Sequence, residues 1–113
     1  MNEREIYIIR FDPQYGTEIK KPRPAVIVSD SDMFSQLTTR IVVPIRDFKP
    51  HHAHSSLLVV LDKNGTNNLK KKSTVDCIQV KSVDIGRIEK KIGEVTEKEF
   101  NEIKNAIALC LNL

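Results

Sequence analysis

The chain has 113 residues, of which 40% are hydrophobic and 29% are charged. This length predicts a single domain over residues 1–113. The composition excludes the disordered and fibrous classes of protein. The formal net charge of +3 permits an acidic partner such as RNA but does not require one. No apolar run approaches the roughly 20 residues that cross a bilayer, and the charged N-terminus is unlike a signal peptide. We therefore expect a cytoplasmic protein with no membrane partner.

The first half of the chain predicts short strands separated by polar loops. β-Branched and aromatic runs predict strands over Ile6–Phe11, Ala25–Ser29, Thr38–Ile45 and Leu57–Leu61. Turn residues predict exposed loops over Asp12–Pro24 and Arg46–Ser56, and a loop or a single helical turn over Asp30–Leu37.

The second half predicts a further strand over Ser73–Val80. A turn region follows over Ser82–Ile88, with a short strand-like piece around Arg87–Lys91. Thr96 and Glu99 then fit a capping box, and Phe100, Ile103 and Ile107 recur at helical spacing. Five or six short strands and one amphipathic helix predict a mainly β fold with α. We expect a small, strongly bent sheet or barrel with a C-terminal helix.

The segment KPRPAVIV contains an arginine whose backbone is unusually restricted. Pro22 and Pro24 bracket Arg23, and proline fixes its own φ and restricts the residue before it. Polar side chains also follow other predicted strands, namely Arg46, Gln79 and Lys81. Strand ends at one rim of a barrel converge, and clustered cations repel one another unless an anion lies among them. The pattern predicts a phosphate site, since guanidinium donors match phosphate oxygens.

The same polar residues are also compatible with purely structural roles. Arg23 can be a surface arginine paired with Glu18 or Asp30, and Arg46 can pair with Asp47 or another carboxylate. Gln79 can be a hydrogen-bonding cap at a strand end. Asp76 is expected to be an isolated, solvated carboxylate.

The cysteines and histidines give no metal-site pattern. Cys77 and Cys110 form no CxxC pair and no cluster with zinc-ligand spacing, which predicts two buried, reduced thiols. His51, His52 and His54 lie in the second polar loop. They are either exposed and idle or carry protons near the site, since histidine titrates near neutral pH.

Three segments together resemble the MazF/PemK family of toxin endoribonucleases. They are IYIIRFDPQYGTEIKKPRPAVIVSD (Ile6–Asp30), IVVPI (Ile41–Ile45) and DCIQVKSVDIGRI (Asp76–Ile88). The most specific part is the loop that begins at Phe11, Asp12 and Pro13, contains Gly16 and Glu18, and continues to Arg23 and Pro24.

The resemblance implies an SH3-like (CcdB/MazF-like) barrel of antiparallel strands with a C-terminal helix, assembled as a homodimer. It implies cleavage of single-stranded RNA at short sequences without a metal or other cofactor. The 2′-hydroxyl attacks the adjacent phosphate and leaves a cyclic phosphate and a 5′-hydroxyl. An acidic antitoxin protein would cover the groove and block Arg23.

The resemblance also implies roles for individual residues. Arg23 is catalytic, Gln79 matches the family glutamine, and Arg46 stands where many members have a catalytic threonine. Asp76 and Ile78 replace an arginine and an aspartate of some relatives. Residues expected to contact the substrate are Tyr15, Thr17, Glu18, Lys81, His51, His52 and His54.

Two alternative functions are compatible with the same fold but involve no enzymatic activity. One is a toxin that binds a gyrase, as in the CcdB branch. The other is a degenerate toxin that binds only RNA or an antitoxin.

Overall fold

The structure, a computed structural model, describes residues 1–11 and 22–113. These residues form an antiparallel sheet of seven strands that curls into an open barrel, followed by one α-helix. The strands are β1 (Glu5–Ile9), β2 (Arg23–Ile27), β3 (Thr39–Asp47), β4 (Leu58–Leu61), β5 (Ser73–Asp76), β6 (Lys81–Asp84) and β7 (Ile88–Glu94), and helix α1 is Glu97–Leu111. The predicted fold class is confirmed.

Strand β3 lies at the centre of the sheet and pairs with three other strands. The strand order is β4-β5-β3-β2-β1-β7, and β6 also pairs with β3. One edge of β3 pairs with β2, while the other pairs with β6 over residues 39–42 and with β5 over residues 45–47. Pro44 lies in the gap between these two ladders, where a residue without an N–H is tolerated.

The two faces of the curled sheet bury separate apolar clusters. Alternation along β2 sends Val26 into the larger cluster, which also contains Phe100 and Ile103 of α1. Ala25 and Ile27 point to the opposite face and the smaller cluster. The predicted capping box is confirmed, because Thr96 Oγ1 accepts the Glu99 N–H at 3.1 Å and Glu99 Oε1 accepts the Thr96 N–H at 2.8 Å.

Several predicted boundaries in the second half of the chain were wrong. The strand predicted over Ser73–Val80 ends at Asp76, and a 3-10 helix follows over Cys77–Gln79. The predicted turn over Ser82–Ile88 is instead strand β6 and a 3-10 helix over Ile85–Arg87. Only Val83 of β6 is buried, so the segment has no apolar run and becomes a strand through its backbone pairing with β3.

Two smaller corrections concern β3 and the cysteines. Strand β3 continues through Arg46 and Asp47, which were predicted to begin a loop. Cys77 is buried, as expected, whereas Cys110 is only partly buried on α1.

No helix in the described part of the chain is long and apolar enough to span a membrane.

The polar loop after β3 contains a 3-10 helix over Pro50–His54 that is anchored by His52. The His52 side chain is 2% exposed, and its Nδ1 accepts the Lys49 N–H at 3.0 Å and lies 2.7 Å from Thr74 Oγ1. Burial lowers the pKa of His52, and the neighbouring His51 and Arg46 side chains lower it further. Only His51 and His54 are exposed as predicted. His52 is instead a neutral anchor of the loop.

This anchor predicts that acid destabilises the protein partly through His52. Its pKa in the folded chain lies below the ordinary value of 6.5, so the unfolded chain binds more protons as the pH falls below that value. The stabilisation is complete above about pH 6.5 and is lost as the pH falls toward the folded pKa. His52→Asn should therefore flatten the decline of melting temperature between about pH 7.5 and 5.5. His54→Asn is the exposed control, and an unchanged decline in His52→Asn would contradict the assignment.

Gly93 of β7 lies directly against the backbone of the loop before β5. A Cβ on Gly93 would meet the carbonyl oxygen of Thr66 and would lie 2.6 Å from that of Asn67. Gly93→Ala should lower the free energy of unfolding in urea by about 1–3 kcal/mol. At Gly65 a Cβ meets nothing within 4 Å, so Gly65→Ala should be neutral or stabilising by up to about 1 kcal/mol. Equal effects of the two substitutions would contradict this account.

Candidate active site

Arg23 is the first residue of β2, where the strand pairs with Ile9 of β1. The antiparallel register of β2 and β3 places Ala25 opposite Pro44. Arg23 and Arg46 each lie two residues beyond that pair. Alternation along the two strands sends both arginine side chains to the face opposite α1, where they line one cleft.

Arg23 and Arg46 line a cleft of about 490 Å³ that also contains Gln79 and Lys81. The other lining residues are Phe11, Pro44, Ile45 and Asp76. β5 and β6 both pair with the same edge of β3, so the turn between them delivers Gln79 beside Pro44. Lys81 lies opposite Val42 at the start of β6. The structure thus brings together the four residues that the sequence predicted to converge.

Asp76 also reaches this cleft, and sequence reasoning missed its role. Arg46 Nη1 donates to Asp76 Oδ2 at 3.3 Å, and the two side chains are 50% and 8% exposed. Asp76 is therefore a buried partner of Arg46, not the solvated carboxylate that was expected. The sequence carried no signal for this burial, because a residue between two inward-facing strand positions is expected to face the other side of the sheet.

Arg46 thus pairs with a carboxylate, as one alternative predicted, but Asp47 and Asp30 do not pair with either arginine. Asp47 pairs with Lys71 at 3.1 Å. The Asp30 carboxylate accepts the backbone N–H groups of Asp32 and Met33, each at 2.9 Å. Within residues 1–11 and 22–113, the Arg23 side chain makes no ion pair, so a pair with Asp30 is not formed. Glu18 lies outside the described residues.

A second cleft of about 440 Å³ lies beside the first and shares Arg23, Ile45 and Arg46 with it. Its other lining residues are Pro22, Pro24, Asp47, Lys49 and Ser73. Lys49 and Ser73 were not singled out from the sequence, because Lys49 lies in a polar loop and Ser73 begins a strand. The two adjoining clefts, together called the groove below, are lined by four cations and two carboxylates, an arrangement suited to an extended anion.

The remaining predicted residues lie elsewhere or are not described. Tyr15, Thr17 and Glu18 lie outside the described residues. None of the three histidines is among the described residues that line either cleft. His51 and His54 are exposed on their 3-10 helix, while the buried His52 ring contacts Thr74. Phe48 packs edge-on against His52 and beneath the Lys72 ammonium group, so its ring fills the base of the loop.

Arg23, Arg46 and Lys81 give the cleft three cationic side chains beside one carboxylate, Asp76. Lys81 Nζ lies 5.0 Å from the centre of the Phe11 ring, which keeps this cation at the cleft wall. Guanidinium groups offer planar pairs of donors that match two oxygens of a phosphate. No group of three histidine, cysteine, aspartate or glutamate side chains in the described part of the chain could hold a metal ion.

Comparison with known proteins connects this geometry to a family. The family model for PemK-like, MazF-like toxins of type II toxin–antitoxin systems matches residues 2–111. The chain is 28% identical to the endoribonuclease MazF9 of Mycobacterium tuberculosis over 116 aligned positions, which cover 100% of this chain and 98% of the relative.

Solved structures share the whole fold. MazF of Deinococcus radiodurans superposes with a TM-score of 0.80 at 18% identity, covering 100% of this chain and 97% of that one. An endoribonuclease in complex with its cognate antitoxin from a mycobacterial species superposes with a TM-score of 0.77 at 18% identity, covering 100% and 96% of the two chains. The resemblance inferred from the sequence is confirmed. The chain belongs to the PemK-like, MazF-like toxins of type II toxin–antitoxin systems.

Proposed function

We propose that the protein is a toxin that cleaves single-stranded RNA, including messenger RNA, at short sequences in the cytoplasm. The observation that carries the proposal is that Arg23 and Arg46 line one cationic cleft on this fold. A relative named an endoribonuclease aligns over the whole chain and supports the same function.

In the proposed reaction, the 2′-hydroxyl of one nucleotide attacks the adjacent phosphorus while the 5′-oxygen leaves on the opposite side. The products are a 2′,3′-cyclic phosphate and a 5′-hydroxyl. The hydroxyl loses its proton on attack, and the leaving oxygen gains one. This chemistry needs in-line geometry, proton transfer and stabilisation of the negative charge that grows on the phosphoryl oxygens.

Arg23 stabilises that charge in this proposal. Its backbone is restricted by Pro22 and Pro24 and paired in the sheet, so its donors are placed before RNA arrives. Arg46 donates from the opposite strand, and the Gln79 amide adds a neutral donor. A guanidinium group is not a base at neutral pH, so Arg46 cannot replace the proton-transfer role of a threonine.

The flanking residues would contact the RNA beyond the scissile phosphate. Lys81 and Lys49 lie on the two sides of the arginine pair, in separate clefts. His51 and His54 are exposed on the loop next to Lys49 and are proposed to contact the chain there. Tyr15, Thr17 and Glu18 are assigned to RNA contact through the family resemblance alone.

An acidic antitoxin segment is the proposed inhibitor. The groove is cationic and extended, and a segment rich in carboxylates would compete there with RNA phosphates. A solved structure with this fold contains an endoribonuclease bound to its cognate antitoxin, which supports a partner of this kind.

A homodimer is also part of the proposal. An apolar groove of about 310 Å³ lies between the sheet and the end of α1 and is lined by Val28, Ile41, Val80, Ile107, Leu111 and other residues. Leu111 is 54% exposed, so association would remove this surface from water.

Sedimentation equilibrium should find a dimer for the wild type and a monomer for Leu111→Lys. A monomeric wild type would contradict the assembly.

The cleavage proposal predicts a specific defect in Arg23→Ala. Purified wild-type protein should cut a mixed single-stranded RNA in excess EDTA into discrete fragments that end in cyclic phosphate. Removing one charge-stabilising donor should slow cleavage by about 10²–10³-fold. The rate is measured from labelled fragments, and the ends are identified by mass spectrometry.

Arg10→Ala is the matched control. Arg10 is exposed and pairs with Glu89 at 3.2 Å, and it lines neither cleft among the described residues. Its loss should change the rate by no more than about two-fold. Intact RNA with a folded wild-type protein would instead favour the toxin that only binds. Equal rates for Arg23→Ala and Arg10→Ala would remove Arg23 from the mechanism.

A further inference from the structure

We propose that Asp76 is a positioning residue that holds the Arg46 guanidinium group in the cleft with Gln79 and Lys81. The inference rests on the proposed RNA cleavage and adds a residue to it. It also assigns the scissile phosphate to this cleft and not to the neighbouring one, which contains Lys49.

The burial of Asp76 is the first observation. The side chain is 8% exposed, whereas Arg46 is 50% exposed. Asp76 Oδ1 is buried and has no hydrogen-bond partner in the described part of the chain. A buried carboxylate is costly to desolvate unless it is paired. The bond from Arg46 is therefore the contact that compensates this anion.

The strand register explains which way the pair points. Arg46 lies opposite Thr74 on β5, and the same register continued by two residues places Asp76 beside Pro44. The bond to Asp76 therefore holds the Arg46 guanidinium group on the side of the cleft that Gln79 and Lys81 line. Asp47, on the other side, is already paired with Lys71 and does not compete.

Within the described residues, Arg46 makes no other side-chain hydrogen bond, so its remaining donors can bind a phosphate. A guanidinium group has five N–H donors, and the bond to Asp76 uses one nitrogen, Nη1. Asp76 itself does not meet the substrate in this geometry, because Oδ2 is bound to Arg46 and Oδ1 is inaccessible. Its effect on catalysis passes through Arg46.

This arrangement predicts that kcat and KM both fall in Asp76→Asn. Asp76→Asn preserves the volume of the side chain but removes its charge, so Arg46 is held less firmly and kcat should fall by about 10- to 100-fold. The cleft also gains one net positive charge, so KM for RNA should fall by about two- to five-fold. A residue with a merely structural role would disorder the cleft, and RNA binding would weaken as kcat fell.

A double-mutant cycle tests whether Asp76 acts through Arg46. In an Arg46→Ala background, Asp76→Asn should change kcat by less than about two-fold, because no guanidinium group is left to position. Glu89→Gln removes the carboxylate from the Arg10–Glu89 pair and should leave kcat and KM within about two-fold of wild type. Circular dichroism and melting temperature check that each variant is folded. Asp76→Ala is a second variant, which removes the acceptor oxygen that asparagine keeps.

Three results would overturn the proposal. They are an unchanged kcat in Asp76→Asn and Asp76→Ala, a full effect of Asp76→Asn in the Arg46→Ala background, and a rise in KM together with the fall in kcat.

A readout that is independent of cleavage separates this proposal from the proposed function. Because Arg46 Nη1 makes the bond to Asp76, the Arg46 Nη–H signals in a ¹⁵N NMR spectrum should be resolved in the wild type and broadened or averaged in Asp76→Asn. If the wild type cuts no RNA, the proposed function fails, and these signals still decide whether Asp76 holds the guanidinium group. If the wild type cuts RNA but the signals are the same in both proteins, only the Asp76 proposal fails.

Discussion

The candidate site depends on the backbone pairing of β3, which has β2 on one edge and both β6 and β5 on the other. One edge pairs with β2 up to Ala25 and Pro44, and Arg23 and Arg46 each lie two residues beyond that pair. The other edge pairs first with β6 and then with β5, and the turn between those strands reaches the same cleft. Five site residues from four strands and a 3-10 helix therefore meet at positions fixed by backbone hydrogen bonds. Side chains held in this way need little reorganisation when a ligand arrives.

Repulsion between the two arginines is the electrostatic consequence of this arrangement. Like charges that line one cleft repel each other, and only one of the two arginines has a carboxylate partner in the described residues. The bond between Arg46 and Asp76 relieves part of the repulsion, while Arg23 keeps its charge available. A phosphate between the two guanidinium groups would satisfy both, which links the stability of the site to binding of its ligand.

The local features of the fold were readable from the sequence. The capping box at Thr96 and the spacing of Phe100 and Ile103 predicted α1, because these signals depend on neighbours within a few residues. Strand β6 was missed, since only Val83 is buried and its pairing with β3 lies far away in sequence. The same limit applies to His52, whose burial depends on a contact with Thr74, 22 residues later.

The sequence by itself determined the family, the mainly β fold with its terminal helix, and the residues expected to converge, Arg23, Arg46, Gln79 and Lys81. These follow from short-range patterns and from motifs that lie close together in the chain. The burial of Asp76 against Arg46 and the anchoring of a loop by His52 became visible in the folded chain alone. The physical reason is that burial and charge pairing are set by strand register, which joins residues about 20–30 positions apart through backbone hydrogen bonds that side-chain patterns do not encode.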